Sequence, residues 1–432
     1  DHFLRVFTPI RMPPWQVHLA DRLAGEGIVR EAVRRYMKVI HTFGPNELEA
    51  YCRFRIGELL AAEGNTAEAA AQWRTLVADY PRPGPNEWGS EVFAVLGGGP
   101  RLKLESVEHY VEQGRQTLGQ STTDERPPDP LVEETRISVR PVIDGDPPKN
   151  GTRELALGED LFSIGEYDYA TRDLLKVLHL CYPSRFRPQA SLRLGACAYM
   201  RGRPVVARRQ WEWTAAEFSG TDAARRASRA LELLGDADLE QPARCPVEMP
   251  PWEPKWDTWA ERGMSYGMAL YEHGLPLFAF KEMTKLLHGV YKKHKLGPQA
   301  RYRAGIAAWE AGHPRAGILQ WRLCAKQHTD TPWGERSRRA IETARAWPEL
   351  TDEQRVEVKA ALSETLPMVP KRNKPACRQR FSLGQEFLMA GVLDEGQAAM
   401  EIMKALTVTR ASPGKYDEQM IPEAQEALER AL

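Results

Sequence analysis

The stretch PQASLRLGACAYMRGRPVVARRQW, residues 188–211, decides how the chain is read, because its spacing recurs at 50–73 (AYCRFRIGELLAAEGNTAEAAAQW) and 298–321 (PQARYRAGIAAWEAGHPRAGILQW). The three align without gaps. Each holds an Arg, a Gly two residues later, a second Gly seven beyond, and Gln-Trp eight and nine beyond that. The residues are Arg193, Gly195, Gly202, Gln210 and Trp211; Arg55, Gly57, Gly64, Gln72 and Trp73; Arg303, Gly305, Gly312, Gln320 and Trp321. Such coincidence marks an internal repeat, which takes precedence over any domain assignment.

Outward from these, the pair of small residues seven apart recurs as Ala20/Gly27, Gly158/Gly165, Gly267/Gly274 and Gly384/Gly391, making seven units. Each reads as two helices. The first carries apolar residues at helical spacing (Leu192, Leu194, Ala198, Tyr199) and stops at a Gly turn. Its interior Gly costs about 1 kcal/mol in propensity, a cost accepted where two backbones approach closely. The second helix places a small residue at the crossing (Ala32, Ala69, Ala170, Ala207, Ala279) and a large plug four later (Tyr36, Trp73, Leu174, Trp211, Met283, Trp321, Met400). This predicts antiparallel helix pairs that stack on their neighbours.

The pattern resembles the tetratricopeptide repeat, a 34-residue helix pair, through Leu157-Gly158, Gly165, Ala170, Leu174 and Pro183, and through Ile56-Gly57, Gly64, Ala69, Trp73 and Pro81. The resemblance implies an all-α, right-handed α-solenoid with units at 13–46, 50–83, 151–184, 188–221, 260–293, 298–331 and 377–410. Gly317 and Gly396 stand where the family has Ala, so the sixth and seventh units depart most. Phrases such as ARYRAG (300–305) are similar to the bacterial envelope subset of the family, which implies a periplasmic or outer-membrane-associated place. The six scattered cysteines, without CxxC spacing, suit a reducing cytoplasm instead.

The units come in pairs, giving a division into 1–83 (units one and two), 84–150 (an insertion), 151–235 (units three and four plus an extra helix, Asp222 to Leu234), 236–256 (a Pro-rich linker), 257–347 (units five and six plus an extra helix, Gly334 to Ala346), 348–375 (a helix and second Pro-rich linker) and 376–432 (unit seven and a terminal capping helix). The insertion contains a Gly-rich turn, a helix expected over Leu102 to Leu118, a Pro-rich linker and a short strand over Arg136 to Ile143. A loop of this length in a compact array is usually functional or disordered.

Composition sets outer bounds. With 432 residues, 42% hydrophobic and 27% charged, the chain is a folded protein, and 59 basic against 59 acidic side chains give no bulk attraction for nucleic acid. No apolar run is long enough to cross a bilayer. Catalytic and metal patterns are missing: Gly97-Gly98-Gly99-Pro100 lacks the continuation of a phosphate loop, His109 has no second histidine at metal spacing, and neither GxSxG nor HExxH occurs. No cofactor, metal site or enzymatic activity is therefore expected.

The remaining informative feature is the surface that the family's groove would present. Positions 5 and 12 of the first helices are all apolar or aromatic, and the candidate partner-binding residues are Phe54, Phe162, Leu192, Tyr199, Met264, Tyr271, Tyr302, Trp309, Phe381 and Leu388. These either pack between neighbouring helices or line an apolar concave groove for a partner segment or for the chain's own insertion. The Lys, Asn and Arg set of family members that clamp C-terminal carboxylates is missing. The expectation is a non-catalytic interaction scaffold for protein or peptide segments, a subunit of a larger bacterial envelope assembly or an oligomer. The alternative is an accessory or regulatory subunit of an enzyme whose catalytic part lies in 84–150 or in another chain.

Overall fold

The computed structural model describes residues 13–42, 47–79, 107–120, 129–137, 151–235, 245–288, 295–364 and 366, and among these every regular element is a helix. The seventh unit and the capping stretch lie outside the described residues. No described helix is long and apolar enough to cross a membrane. The chain divides into two compact units, Asp1–Asp238 and Leu239–Leu432.

The helix pairs form because a residue of the first helix and one of the second, always sixteen apart, fit as socket and plug. A Cβ on Gly195 would lie 2.1 Å from Nε1 of Trp211, one on Gly57 2.2 Å from Nε1 of Trp73, and one on Gly305 2.3 Å from Nε1 of Trp321. Gly158 meets Leu174 and Gly267 meets Met283 in the same way. Only a residue without a side chain admits an indole there. Trp211 and Trp321 are wholly buried, and each donates through its indole to a backbone carbonyl nineteen residues earlier, Leu192 at 2.9 Å and Tyr302 at 3.0 Å. Buried indole N–H groups normally need such a partner.

The Gln of the Gln-Trp pair has its own task. Gln210 donates to the Ser191 hydroxyl at 2.7 Å, whereas Gln320 and Gln72 accept from Arg301 at 2.8 Å and Arg53 at 3.3 Å. In the first unit the types are exchanged, and Arg35 on the second helix donates to Gln16 on the first at 3.1 Å. All four links span nineteen residues, so they pin the same register in each pair. Between the helices the turn glycine takes the left-handed conformation, φ 68° at Gly202 and 85° at Gly312, which other residues reach only with strain. Gly317 stands where the other described second helices carry Ala, and it serves a close crossing: a Cβ there would sit 2.8 Å from the Gly305 carbonyl oxygen.

In the first unit, α1 (Pro13–Gly25) pairs with α2 (Val29–Thr42) and α3 (Glu47–Ala62) with α4 (Thr66–Asp79), and α5 (Val107–Gln120) packs on both α3 and α4. After the short α6 (Pro130–Glu134), the same arrangement follows. The pairs are α7 (Thr152–Ser163) with α8 (Tyr167–His179) and α9 (Arg187–Met200) with α10 (Pro204–Glu217), and α11 (Asp222–Leu234) packs on α9 and α10. In the second unit α12 (Trp259–Glu272) pairs with α13 (Pro276–His288) and α14 (Gly297–Glu310) with α15 (Pro314–Gln327); α16 (Pro332–Arg345) packs on α14 and α15, and α17 (Asp352–Ser363) on α15.

The architecture is therefore consecutive helix-on-helix packing, consistent with an α-solenoid, with a five-helix module repeated three times. α5 takes the place in the first module that α11 and α16 take in the others. The helix expected at Leu102 to Leu118 within the 84–150 stretch is thus the fifth helix of a module. The strand expected at Arg136 to Ile143 is not seen at Arg136 and Ile137, and its other residues lie outside the described ones.

Within the first unit the second module meets the first where α2 packs on α7, and ion pairs run from α2 to α7, to α8 and to Glu166 between them. Arg30 pairs with Glu166 at 3.0 Å and Asp168 at 3.1 Å, His41 with Asp160 at 2.7 Å, and Arg34 with Asp173 at 3.4 Å. Arg30 and Arg34 also lie over the Tyr169 ring. Asp173 is fully buried and pairs with Lys176 as well. Burial alone would push its carboxyl up, but Lys176, Arg34 and Arg172 together hold it well below the usual range. Asp160 is lowered too: against its own burial, His41 and then Arg53 favour its anion.

Two outcomes follow from these contacts. Gly195→Ala forces its new methyl against the Trp211 indole and costs about 1–3 kcal/mol, the range for overpacking, measured by chemical denaturation; an unchanged midpoint would mean that the indole is not wedged there. Because Asp160 and Asp173 are depressed in the folded state, their contribution is complete above the unfolded carboxyl value of about 4 and is lost as pH falls below it. Asp173→Asn should cost about 3–5 kcal/mol at pH 7 by leaving buried cations facing one another, and should flatten the acid dependence of unfolding free energy. A titration with the same acid slope as the parent would contradict this.

Candidate functional site

In the second and third modules the face made by the first helices of the pairs is covered by a segment that precedes the module in the chain. The residue that holds each segment is the Arg two before the socket glycine.

In the second module, Arg193 on α9 is buried and bridges three elements. It donates from Nε and Nη2 to both carboxylate oxygens of Glu159 on α7, at 2.7 and 2.5 Å, and its guanidinium lies 3.7 Å from the centre of the Phe162 ring. Its remaining nitrogen, Nη1, donates to the Val132 carbonyl at 3.2 Å and the Thr135 hydroxyl at 3.5 Å. Glu159 is pushed above the usual carboxylate range by burial, against the pull of Arg193. From α11, Arg226 donates to the carbonyls of Glu134 at 2.7 Å and Arg136 at 2.6 Å, and Arg229 pairs with the Glu134 carboxylate at 3.4 Å. Tyr199 donates to Asp129 at 3.3 Å, and Asp129 caps α6 by accepting from Leu131 N at 2.8 Å. Leu131, Thr135 and Ile137 are buried in this seat.

In the third module the seated segment is Cys245–Trp256, within the stretch read from sequence as a Pro-rich linker. Arg303 on α14 donates from Nη1 to the Pro250 carbonyl at 2.5 Å and from Nη2 to the Pro251 carbonyl at 2.9 Å. Trp252 lies 5.6 Å from that guanidinium and donates to Ser265 on α12 at 3.0 Å. Ser265 also accepts from Lys255 N and donates to the Lys255 carbonyl. Cys245, Val247 and Met249 pack on the cluster that contains Tyr302, Ile306 and Trp309. Burial and the neighbouring Arg336 push Arg303 down to about 10, consistent with a cation whose partners at the segment are carbonyl dipoles.

Arg55 on α3 stands at the matching place in the first module, but its surroundings differ. It donates to Glu58 at 2.6 Å, while Tyr36 and Tyr51 both donate to Asp21, at 2.5 and 2.6 Å. Burial, then Asp21, raises both phenols well above their ordinary range.

No family model, curated protein or solved structure matches this chain. The site must be read from its own chemistry.

The aromatic positions singled out from sequence divide between core and covered face. Leu192 and Met264 are core residues, and Phe162 is buried beneath Arg193. Tyr302 and Trp309 are each 5% exposed and, with the partly buried Tyr271, meet Cys245, Val247 and Met249. Tyr199 reaches Asp129, and Phe54 packs on Tyr110 of α5 with ring centres 5.7 Å apart. Phe381 and Leu388 lie outside the described residues.

In the sequence Arg55, Arg193 and Arg303 stand out only as repeat positions, and the repeat itself does not show that Arg193 and Arg303 hold chain segments. The signal was a long cation two residues from a buried glycine, a place where an arginine needs stacked or hydrogen-bonded company.

Arg193→Lys supplies one point charge where Glu159 and the Val132 carbonyl need a fork. Amide exchange over residues 130–137 should then accelerate at least about tenfold, as expected for loss of a charge-assisted hydrogen bond, while α9 stays protected. Equal exchange in both proteins would show that Arg193 does not retain the segment.

Proposed function

We propose that the chain is a non-catalytic scaffold of the tetratricopeptide type, a right-handed solenoid of antiparallel helix pairs whose concave faces take up protein segments. The observation that carries this reading is the paired capture of main-chain carbonyls by Arg193 and Arg303. An arginine that donates to backbone carbonyls beside apolar side-chain seats binds a chain segment, the short helix Pro130–Glu134 at Arg193 and the irregular Pro246–Trp252 at Arg303, with affinity from the main chain and selectivity from the seats. The segments already seated are tethered ligands of such faces. They hold their places by high effective concentration, on the order of millimolar for short tethers, so a partner must match their chemistry to displace them.

Recognition of this kind rests on desolvated hydrogen bonds and apolar contact, in keeping with a chain of zero net charge, and should vary little with salt. The reading is tested with a labelled peptide spanning residues 127–139 and a full-length chain carrying Leu131→Asp, which unseats the resident segment. The peptide should bind that chain in a 1:1 ratio, more weakly once Arg193→Ala is added, with affinity nearly constant between low and moderate salt. A correctly folded Leu131→Asp chain that leaves the peptide free would make the segment a permanent structural element and the scaffold reading untenable for this face.

A further inference from the structure

The segment seated on the third module has a near-copy elsewhere in the chain. Pro246-Val247-Glu248-Met249-Pro250-Pro251-Trp252 is matched by Pro9-Ile10-Arg11-Met12-Pro13-Pro14-Trp15, identical at five of seven places and Val against Ile at a sixth. The seventh, Glu248 against Arg11, falls where the seated segment faces solvent. Within these seven places the ones that engage the third module are kept or conservatively replaced, and the charge reversal sits where that face would not sense it; the buried Cys245 just before them is Thr8 in the near-copy.

The first module, which follows the near-copy directly, does not offer the same seat. In the repeat register its residues His18, Ala24, Glu58 and Ala61 stand where the third module has Ser265, Tyr271, Ile306 and Trp309. It thus lacks the hydroxyl that takes the Trp252 indole and the Tyr271 and Trp309 rings of the cluster on which Val247 and Met249 pack, keeping an aromatic only at Phe54 in the place of Tyr302. Nor are Pro13 to Trp15 laid out as Pro250 to Trp252 are, since they form the first turn of α1. Two prolines without amide hydrogens open that turn, and a terminal turn is the least costly part of a helix to unwind.

We propose that Pro9–Trp15 of one copy of this chain is a ligand for the Arg303 face of a second copy, exchanging with the resident Pro246–Trp252. The incoming segment would present the Pro13 and Pro14 carbonyls to Arg303 and the Trp15 indole to Ser265. Seat for seat the contacts are equivalent, as in domain swapping, so the exchange is opposed mainly by the tether of the resident segment. Because ligand and face lie on different parts of one chain, two copies that exchange segments reciprocally close into a dimer, and copies that do not extend into rings or open arrays. The proposal concerns the third module and does not depend on the fate of the segment over Arg193.

The experiment uses the full chain and a synthetic peptide of residues 5–17. Excess peptide should accelerate alkylation of the Cys245 thiol, buried at the start of the seated segment, in the parent chain, and a peptide carrying Met12→Asp should not. In a chain with Met249→Asp and Trp252→Ala, which weaken the resident segment, sedimentation should show association that grows with concentration. Adding Met12→Asp should return that chain to the monomer, and Arg303→Ala should weaken peptide binding about tenfold or more. The proposal is overturned if the peptide leaves alkylation of Cys245 unchanged, if the Met12→Asp peptide acts equally well, or if association persists with Met12→Asp present.

Discussion

A missing side chain governs this structure. Where Gly57, Gly195 and Gly305 face Trp73, Trp211 and Trp321, the indole occupies the volume that a Cβ would need. The helices of a pair can then approach until the indole lies on the backbone of its neighbour, and at Trp211 and Trp321 the ring nitrogen finds a carbonyl there. The interior glycine costs helix propensity, and the buried indole more than offsets it, because burying a large aromatic side chain is worth several times the about 1 kcal/mol lost. Gln72, Gln210 and Gln320, next to each indole, add the hydrogen bond that prevents the pair from sliding.

This close approach also determines what the opposite face can do. The arginine two residues before the glycine leaves the helix away from the indole and stands on the face shared by the first helices of the module. Packed between helices, Arg193 and Arg303 cannot be left without acceptors. Arg193 has Glu159 for two nitrogens and spends the third on the chain; Arg303 faces Met268 where Arg193 faces Glu159, and meets two proline carbonyls. The change of one neighbour from carboxylate to thioether thus accompanies a change from one captured carbonyl to two.

Much of the helix order was legible. The sixteen-residue interval from Gly195 to Trp211, the turn at Gly202 and the recurrence of both elsewhere define helix pairs without any tertiary information. The extra helix at Asp222–Leu234 follows from its apolar spacing, reinforced by Thr221, which accepts from Ala224 N at the helix start. The role of Val107–Gln120 was hidden because its stretch is separated from the first two units by proline and glycine, so it reads as an insertion and not as the fifth helix of a module. The candidate face was legible only as a list of apolar positions, since Leu192 and Met264 in the core carry the same pattern as Tyr199 and Tyr271 against a seated segment.

The amino-acid sequence by itself determined the local fit: which residues form a socket and which a plug in the described helix pairs. Those choices are local, because glycine and tryptophan sixteen residues apart can meet only across one tight turn. Which segment covers which face was decided by the tertiary structure alone. Arg193 reaches a carbonyl 61 residues away and Arg303 one 53 residues away. Every residue of the chain has such a carbonyl, so nothing in the side-chain pattern marks the acceptor; only the packed helices, by aiming the guanidinium and excluding water around it, select one.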